Sequence, residues 1–137
     1  MNTSDIFSDD GFLLAFNNCS APPSAFNHLG HLRIGWIHLQ RYPLEVAVKL
    51  ACDGIERFAN HHGASEKYNR TLSEALLRIM ASRGATDKNK TWGVFLDENP
   101  DIVNDAFGLI GKYYSKDYVM SPMAKKVFMS PDLSPLP

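Results

Sequence analysis

The sequence predicts an all-α fold, a single-domain helical bundle of about five to seven helices. Apolar residues recur at helical spacing in several segments, most clearly between Leu44 and His62. The chain has no run of alternating β-branched residues and no Asn-Gly hairpin turn. Its 137 residues are enough to bury one core. We therefore expect one helical domain over residues 1–137, with an extended, proline-rich C-terminal tail from residue 130 onward.

The first half of the chain predicts three helices separated by breaks that contain proline. Acidic residues precede a short apolar cluster, which predicts a helix over Asp9–Asn17. The prolines of "APPSAF" interrupt the chain, and Ser24 is placed to cap a second helix that runs to Arg41. A third helix is predicted to begin after Pro43 and to stop at Gly63.

The second half predicts shorter helices. Thr71 and Glu74 have the spacing of a capping box, which predicts a helix that starts at Thr71 and ends at Gly84. The segment "TWGVFLDENP" predicts a short helix that stops before Pro100. A further helix is expected from Asp101, and "SPMAKKVF" predicts a last one with a serine cap and a proline in its first turn.

Composition narrows the classes of partner. The chain carries 14 Lys plus Arg against 15 Asp plus Glu, so no excess charge attracts nucleic acid or an anionic membrane. No apolar stretch is long enough to span a bilayer, and the start "MNTSDIFSDDGF" lacks the pattern of a secretory signal. Cys19 and Cys52 form no Cys-x-x-Cys pair and are expected to be idle thiols. We expect a soluble cytoplasmic protein that binds neither nucleic acid nor membranes.

Three of the five histidines fall in one predicted helix, within "SAFNHLGHLRIGWIHLQRYP". At about 100° per residue, His28, His31 and His38 border the apolar stripe of this helix. Gly35 lies between the first two and is expected where another helix or a ligand approaches closely. If this helix and the next form an antiparallel hairpin around "RYP", His62 lies opposite the helix start. His28, His31 and His62 are then predicted to converge, and His38 stays near the turn.

Convergent imidazoles suit a divalent transition metal, such as zinc, iron, copper or nickel. The predicted metal ligands are His28, His31 and His62, and His28 and His31 are also the candidate catalytic acid–base groups. The segment "KYNRT" is expected to bring Tyr68 and Asn69 to the same end of the bundle, where they would orient a ligand. Motifs for metalloprotease, di-iron, nucleotide-binding and serine-nucleophile chemistry are missing from the sequence.

The same side chains also have a structural interpretation. A histidine beside an apolar helix face is commonly half-buried and satisfied by a carbonyl, and one in a last helical turn complements the helix dipole. His38 and His61 are interpreted as exposed or capping residues. Trp36 is interpreted either as a core aromatic or, with neighbouring apolar residues, as part of a groove that binds an apolar ligand.

The blocks "FNHLGHLRIGW", "KYNRTLSEALL" and "SPMAKKVFMSPDLSPLP" together resemble a family of small uncharacterised bacterial proteins. Its pattern reads Phe-x-His-x-x-His-Leu-Arg in the first block and Lys-Tyr-His-x-Thr in the second, and the resemblance covers residues 26–137. It implies an all-helical protein and no known activity. Asn69 stands where the pattern has histidine, and asparagine neither titrates nor ligates metals well.

Three functional hypotheses follow from these residues. The first is a small metal-binding or histidine-dependent enzyme that acts on a small molecule through His28 and His31. The second is a non-catalytic protein that binds a small molecule or a partner protein, in which the histidines are structural. The third is a homodimer formed through exposed apolar helix faces.

Overall fold

The computed structural model describes residues 8–137, without the side chains of residues 25 and 26. Within this range the chain forms nine α-helices and no strand, so the all-α prediction is confirmed. The helices are α1 (Asp9–Asn17), α2 (His28–Arg41), α3 (Leu44–His61), α4 (Arg70–Met80), α5 (Trp92–Glu98), α6 (Pro100–Asn104), α7 (Ala106–Ile110), α8 (Lys116–Val119) and α9 (Pro122–Lys126). The expectation about a secretory signal depends in part on residues 1–7 and lies outside the described residues.

Helix α1 has the predicted bounds. The hydroxyl of Ser8 accepts a hydrogen bond from the backbone N–H of Gly11, and two aspartates occupy the first turn. On the buried face, the ring of Phe16 stacks on that of Phe58 in α3, with 5.8 Å between centroids. Phe16 also lies over Gly54, where an added Cβ would be 2.6 Å from the ring, so α1 and α3 pack closely.

Helix α2 begins later than expected. A 3₁₀ turn, Pro23–Phe26, begins at the second proline, and Asn27 rather than Ser24 caps α2 by accepting from the N–H of Gly30 at 3.0 Å. The prediction of Ser24 as the cap is therefore wrong, because the serine lies inside this turn and the extended backbone of a cap occurs at Asn27.

Helices α2 and α3 form the expected hairpin, linked by Tyr42 and Pro43, and they pack more extensively on each other than on any other described element. The end of α3 lies beside the start of α2, and Gly63 has a φ of +70° just beyond α3, as predicted for the stop. Gly35 is buried where α2 meets α4: an added Cβ would be 2.6 Å from Cδ2 of Leu77. The expected close approach at Gly35 is thus made by a helix.

Helix α4 begins at Arg70, and Asn69 is its cap, so the predicted capping box is wrong. Thr71 lies inside the helix, where its buried hydroxyl donates to the carbonyl of Val127 and accepts from the N–H of Met129. Glu74, also buried, pairs with arginines one turn before and after it instead of reaching back to a cap. The helix ends in a wide turn in which Gly84 has a φ of +95°, as the glycine predicted.

The remaining helices are short. The predicted helix from Asp101 is broken at Asp105, whose carboxylate caps α7 by accepting from the N–H of Gly108. Helix α8 was not among the predicted helices. The last ten residues have no helix. The phenol of Tyr114 donates to the carbonyl of Met129 in this segment.

The core is one continuous cluster of buried apolar side chains drawn from most of the helices. Cys19 and Cys52 are both buried and unpaired, as expected, and burial raises the pKa of the Cys52 thiol to about 12. In residues 8–137, no helix combines the length and apolar character needed to cross a bilayer.

Candidate functional site

A cavity of about 510 Å³ opens at the end of the bundle where α2 begins and α3 ends. Helices α4 and α7 complete its wall, and its volume lies within the range of about 300–1,000 Å³ that is typical of small-molecule sites. Most of the lining is apolar and includes Leu32, Ile55, Phe58, Leu72, Leu77 and Met80. The described part of the chain therefore offers a concave, mainly hydrophobic site with a few polar groups.

Five of the sequence-predicted residues line this cavity: His28, His31, His62, Tyr68 and Asn69. The hairpin accounts for this meeting, because it sets the first turn of α2 beside the last turn of α3. The turn Ser65–Lys67 then returns the chain to the same end before α4 begins.

His28 occupies the first position of α2. Its Nε2 lies 2.7 Å from the backbone carbonyl oxygen of Ile102 in α6. A carbonyl only accepts, so this contact requires a hydrogen on Nε2 and fixes the tautomer of the neutral ring. The ring is thereby held between two helices, with Nδ1 as an acceptor in the neutral form.

His31 follows one turn later on α2. Its side chain is exposed because it faces the open cavity, and the surrounding protein only partly removes water from the ring. Burial lowers its pKa from the ordinary value, and the charge of His28 lowers it further. At neutral pH, His31 is therefore an uncharged imidazole, able to accept a proton or to share a hydrogen bond with a ligand.

His62 approaches the cavity from the C-terminal end of α3. Its ring packs on that of Phe58, with 4.3 Å between centroids. Its Nε2 is buried and has no hydrogen-bond partner among the described residues. A buried polar atom without a partner is destabilising, so a bound molecule that brought an acceptor or donor to this nitrogen would satisfy it.

Tyr68 and Asn69 line the cavity, but their polar groups are used inside the protein. The phenol of Tyr68 donates to the carbonyl of Cys52 at 3.2 Å. The Asn69 amide donates to the carbonyl of Val119 at 2.8 Å, and its oxygen caps α4 by accepting from the N–H of Leu72. Both residues therefore shape the wall. The oxygen and the nitrogen of the Asn69 amide each already have a hydrogen-bond partner inside the protein, so the predicted role of Asn69 in orienting a ligand has no support here.

Trp36 is not brought to this cavity. It is 4% exposed and packs against Trp92 and Phe95, with ring centroids 5.9 and 5.2 Å away. The core interpretation of Trp36 is thus the one that its packing supports, and the predicted ligand-binding role is wrong for this site. The reason is its angular position on α2, which faces α5 and not α4.

His38 is also placed differently from the sequence interpretation. It is 6% exposed, and its Nδ1 donates to the carbonyl of Ile34 at 2.8 Å, one turn earlier in the same helix. It lies away from the cavity lining, as its position near the turn predicted. His61, by contrast, is exposed at the end of α3, as interpreted.

The predicted three-histidine metal centre is not formed. Across residues 8–137, no group of three or more His, Cys, Asp or Glu side chains is arranged to hold a metal ion. His28, His31 and His62 share a cavity without sharing a coordination point. The Ile102 carbonyl engages Nε2 of His28, so Nδ1 is the one nitrogen of that ring left without this partner.

Several cavity residues were not singled out from the sequence. Lys67 and Ser73 add polar groups, and Phe107, an exposed aromatic on α7, contributes to the wall. Lys67 had a detectable signal, since it directly precedes Tyr68 in the segment predicted to reach this end. Phe107 had none, because the break at Asp105 that orients α7 was not predicted.

No protein-family model matches this chain, and no curated protein or solved structure shows a significant similarity to it. The resemblance to small bacterial helical proteins therefore stays a prediction.

Proposed function

We propose that this protein binds a small, largely apolar molecule in the cavity between α2, α3, α4 and α7. The observation that carries the proposal is the cavity itself, about 510 Å³ in volume and mainly hydrophobic, with three histidines on its wall. An apolar body would be held by the leucine, phenylalanine and methionine side chains. The imidazoles of His28, His31 and His62 would lie beside its polar part.

A neutral fluorescent probe tests this proposal. N-phenyl-1-naphthylamine becomes brighter when it enters an apolar site, and we expect a saturable increase with one site per chain. Ala59→Phe places a ring in the cavity lining and should abolish the increase. Val94→Phe, at an exposed position on α5, is the matched control and should bind as the wild type does.

The refuting result is equally clear. Equal binding by Ala59→Phe and wild type, with both variants folded by circular dichroism, would mean that the probe binds elsewhere. No saturable binding by the wild type would remove the proposal.

A second candidate function is acid–base catalysis on the bound molecule, favoured by the neutral imidazole of His31 next to His28. An uncharged imidazole in a cavity can take a proton from a water molecule as that water attacks the carbonyl carbon of a bound ester. The ester C–O bond then breaks, the leaving alcohol or phenolate departs, and the proton passes to it or to solvent. We expect hydrolysis of p-nitrophenyl octanoate that is lost in His28→Gln and His31→Gln and retained in His61→Gln, an exposed control. If the wild type hydrolyses the ester no faster than buffer alone does, the catalytic candidate is rejected and the binding proposal stands.

Metal binding requires a test that does not assume a cofactor. Elemental analysis after reconstitution with zinc, nickel or copper compares the wild type with a His28→Ala, His31→Ala double variant. Because no cluster of three ligands is formed in the described chain, we expect no stoichiometric metal that depends on these histidines. A metal that is bound by the wild type and lost by the variant would contradict this expectation.

A further inference from the structure

Apart from the phenol of Tyr68, the ionisable side chains that line the cavity are all bases. Its titratable bases are His28, His31, His62 and Lys67, and no aspartate or glutamate belongs to the lining formed by the described residues. Over the whole chain, acidic residues slightly outnumber Lys plus Arg, 15 to 14. The exclusion of carboxylates from this one surface therefore distinguishes the cavity from the protein as a whole.

Lys67 is the one lysine of this set. It lies in the 3₁₀ turn before Tyr68, is exposed to solvent, and has no carboxylate partner among the described residues. Two lysines in the described chain are neutralised by ion pairs, Lys49 with Asp53 and Lys90 with Glu98, whereas Lys67 is not. An unneutralised ammonium group beside an apolar cavity favours an anionic partner.

His62 adds a hydrogen-bonding atom that the protein itself does not satisfy. Its buried Nε2 has no partner in the described chain, and the ring is held by its packing on Phe58. In the tautomer with hydrogen on Nε2, this atom donates, and an oxygen of an anion is a suitable acceptor.

The apolar walls limit the charge of such a ligand. Burying a second negative charge would require further donors or cations, because an uncompensated charge in an apolar site is strongly unfavourable. One lysine and a few imidazoles surrounded by leucine, phenylalanine and methionine suit one negative charge on an apolar body.

We propose that the ligand of this cavity is an amphipathic monocarboxylate, whose carboxylate meets Lys67 and His62 while its hydrocarbon part occupies the apolar wall. This inference rests on the proposed function, because it requires binding in the same cavity. It adds the chemical class of the ligand and two residues that select it.

Three probes with the same eight-carbon chain test the inference by isothermal titration calorimetry on the full chain at pH 7. We expect octanoate to bind about tenfold or more tightly than 1-octanol, since a charge-assisted hydrogen bond adds to the same apolar contact. Octylamine should bind most weakly because its cation meets only bases. An equal affinity for octanoate and 1-octanol, or tighter binding of octylamine, would overturn the inference.

Two variants locate the selectivity. Lys67→Gln and His62→Phe should each reduce the affinity for octanoate towards that for 1-octanol. His62→Phe keeps an aromatic ring packed on Phe58. Lys88→Gln, an exposed lysine outside the cavity lining, is the matched control and should leave all three affinities unchanged. An effect of Lys67→Gln no larger than that of Lys88→Gln would overturn the role of Lys67.

The outcomes separate the two proposals. Binding of N-phenyl-1-naphthylamine without preference for octanoate leaves the proposed function standing and overturns the monocarboxylate. No binding of the naphthylamine or of any eight-carbon probe overturns both.

Discussion

Replacing Asn69 tests whether this residue supports the fold or contacts the ligand. In Asn69→Ala, α4 loses its cap, which costs about 1 kcal/mol, and the buried contact to the Val119 carbonyl loses its donor, which costs about 1–3 kcal/mol. The free energy of unfolding should therefore fall by about 2–4 kcal/mol. Equilibrium unfolding in urea measures it.

Two comparisons separate the contributions. Thr91→Ala removes an exposed cap, the bond from the N–H of Val94, and should cost only about 1 kcal/mol. Asn69→Asp retains a capping oxygen but cannot donate to Val119 in its ionised form, so it should also be more destabilising than Thr91→Ala.

Probe binding then distinguishes the roles. Because both ends of the Asn69 amide are used inside the protein, folded Asn69→Ala should bind N-phenyl-1-naphthylamine with nearly the wild-type affinity. A stability loss no greater than that of Thr91→Ala, together with lost binding, would refute the structural role and restore Asn69 as a ligand contact.

Two further predictions concern packing and pH. Gly35→Ala places a Cβ 2.6 Å from Cδ2 of Leu77. Moving that side chain should lower the free energy of unfolding by about 1–3 kcal/mol and weaken binding of the naphthylamine probe. In the same urea and fluorescence assays, Gly93→Ala, whose added Cβ would meet nothing within 4 Å, should leave stability unchanged or increase it. Should both alanine variants behave alike, the close approach at Gly35 would not restrict the cavity. Burial lowers the pKa of His38 and a contribution from Arg41 acts in the same direction, although the Ile34 hydrogen bond partly opposes them. The unfolded chain therefore takes up this proton first as the pH falls below about 6.5, and stability should decrease from pH 7 towards pH 5. His38→Gln should flatten that decrease in urea unfolding more than His61→Gln does, and an unchanged slope would contradict the assignment.

Helix positions are largely predictable from this sequence, whereas helix starts are less so. Helix α1 and the end of α3 agree with expectation because apolar periodicity and a single nearby stop signal point to the same residues. Two residues could cap each of α2 and α4: Ser24 or Asn27 for α2, and Thr71 or Asn69 for α4. Asn69 caps α4, because the hydroxyl of Thr71 is bonded to Val127 and Met129, far along the chain. A local pattern carries no information about those partners.

For the candidate site, the sequence likewise predicted the positions of several residues but not their partners. Helical phase and the hairpin were enough to place His28, His31 and His62 at one end, as the cavity lining now shows. The helical spacing indicates which face of α2 carries Trp36, but it does not indicate which helix packs on that face. In the structure that helix is α5. The helical phase likewise does not predict that the carbonyl of Ile102, in α6, accepts a hydrogen bond from Nε2 of His28.

The hydrogen bonds of Thr71 also bear on the order in which the protein folds. They join the first turn of α4 to residues 56 and 58 positions further on, whereas α2 and α3 meet across a link of two residues. Long loops close more slowly than short ones, so we expect the histidine-bearing hairpin to form before the C-terminal segment docks. Pulse-labelling hydrogen exchange should then protect α3 before Met129. The hairpin would then bring His28, His31 and His62 to one end of the bundle early, whereas the cavity would form only when α4 and α7 pack against it.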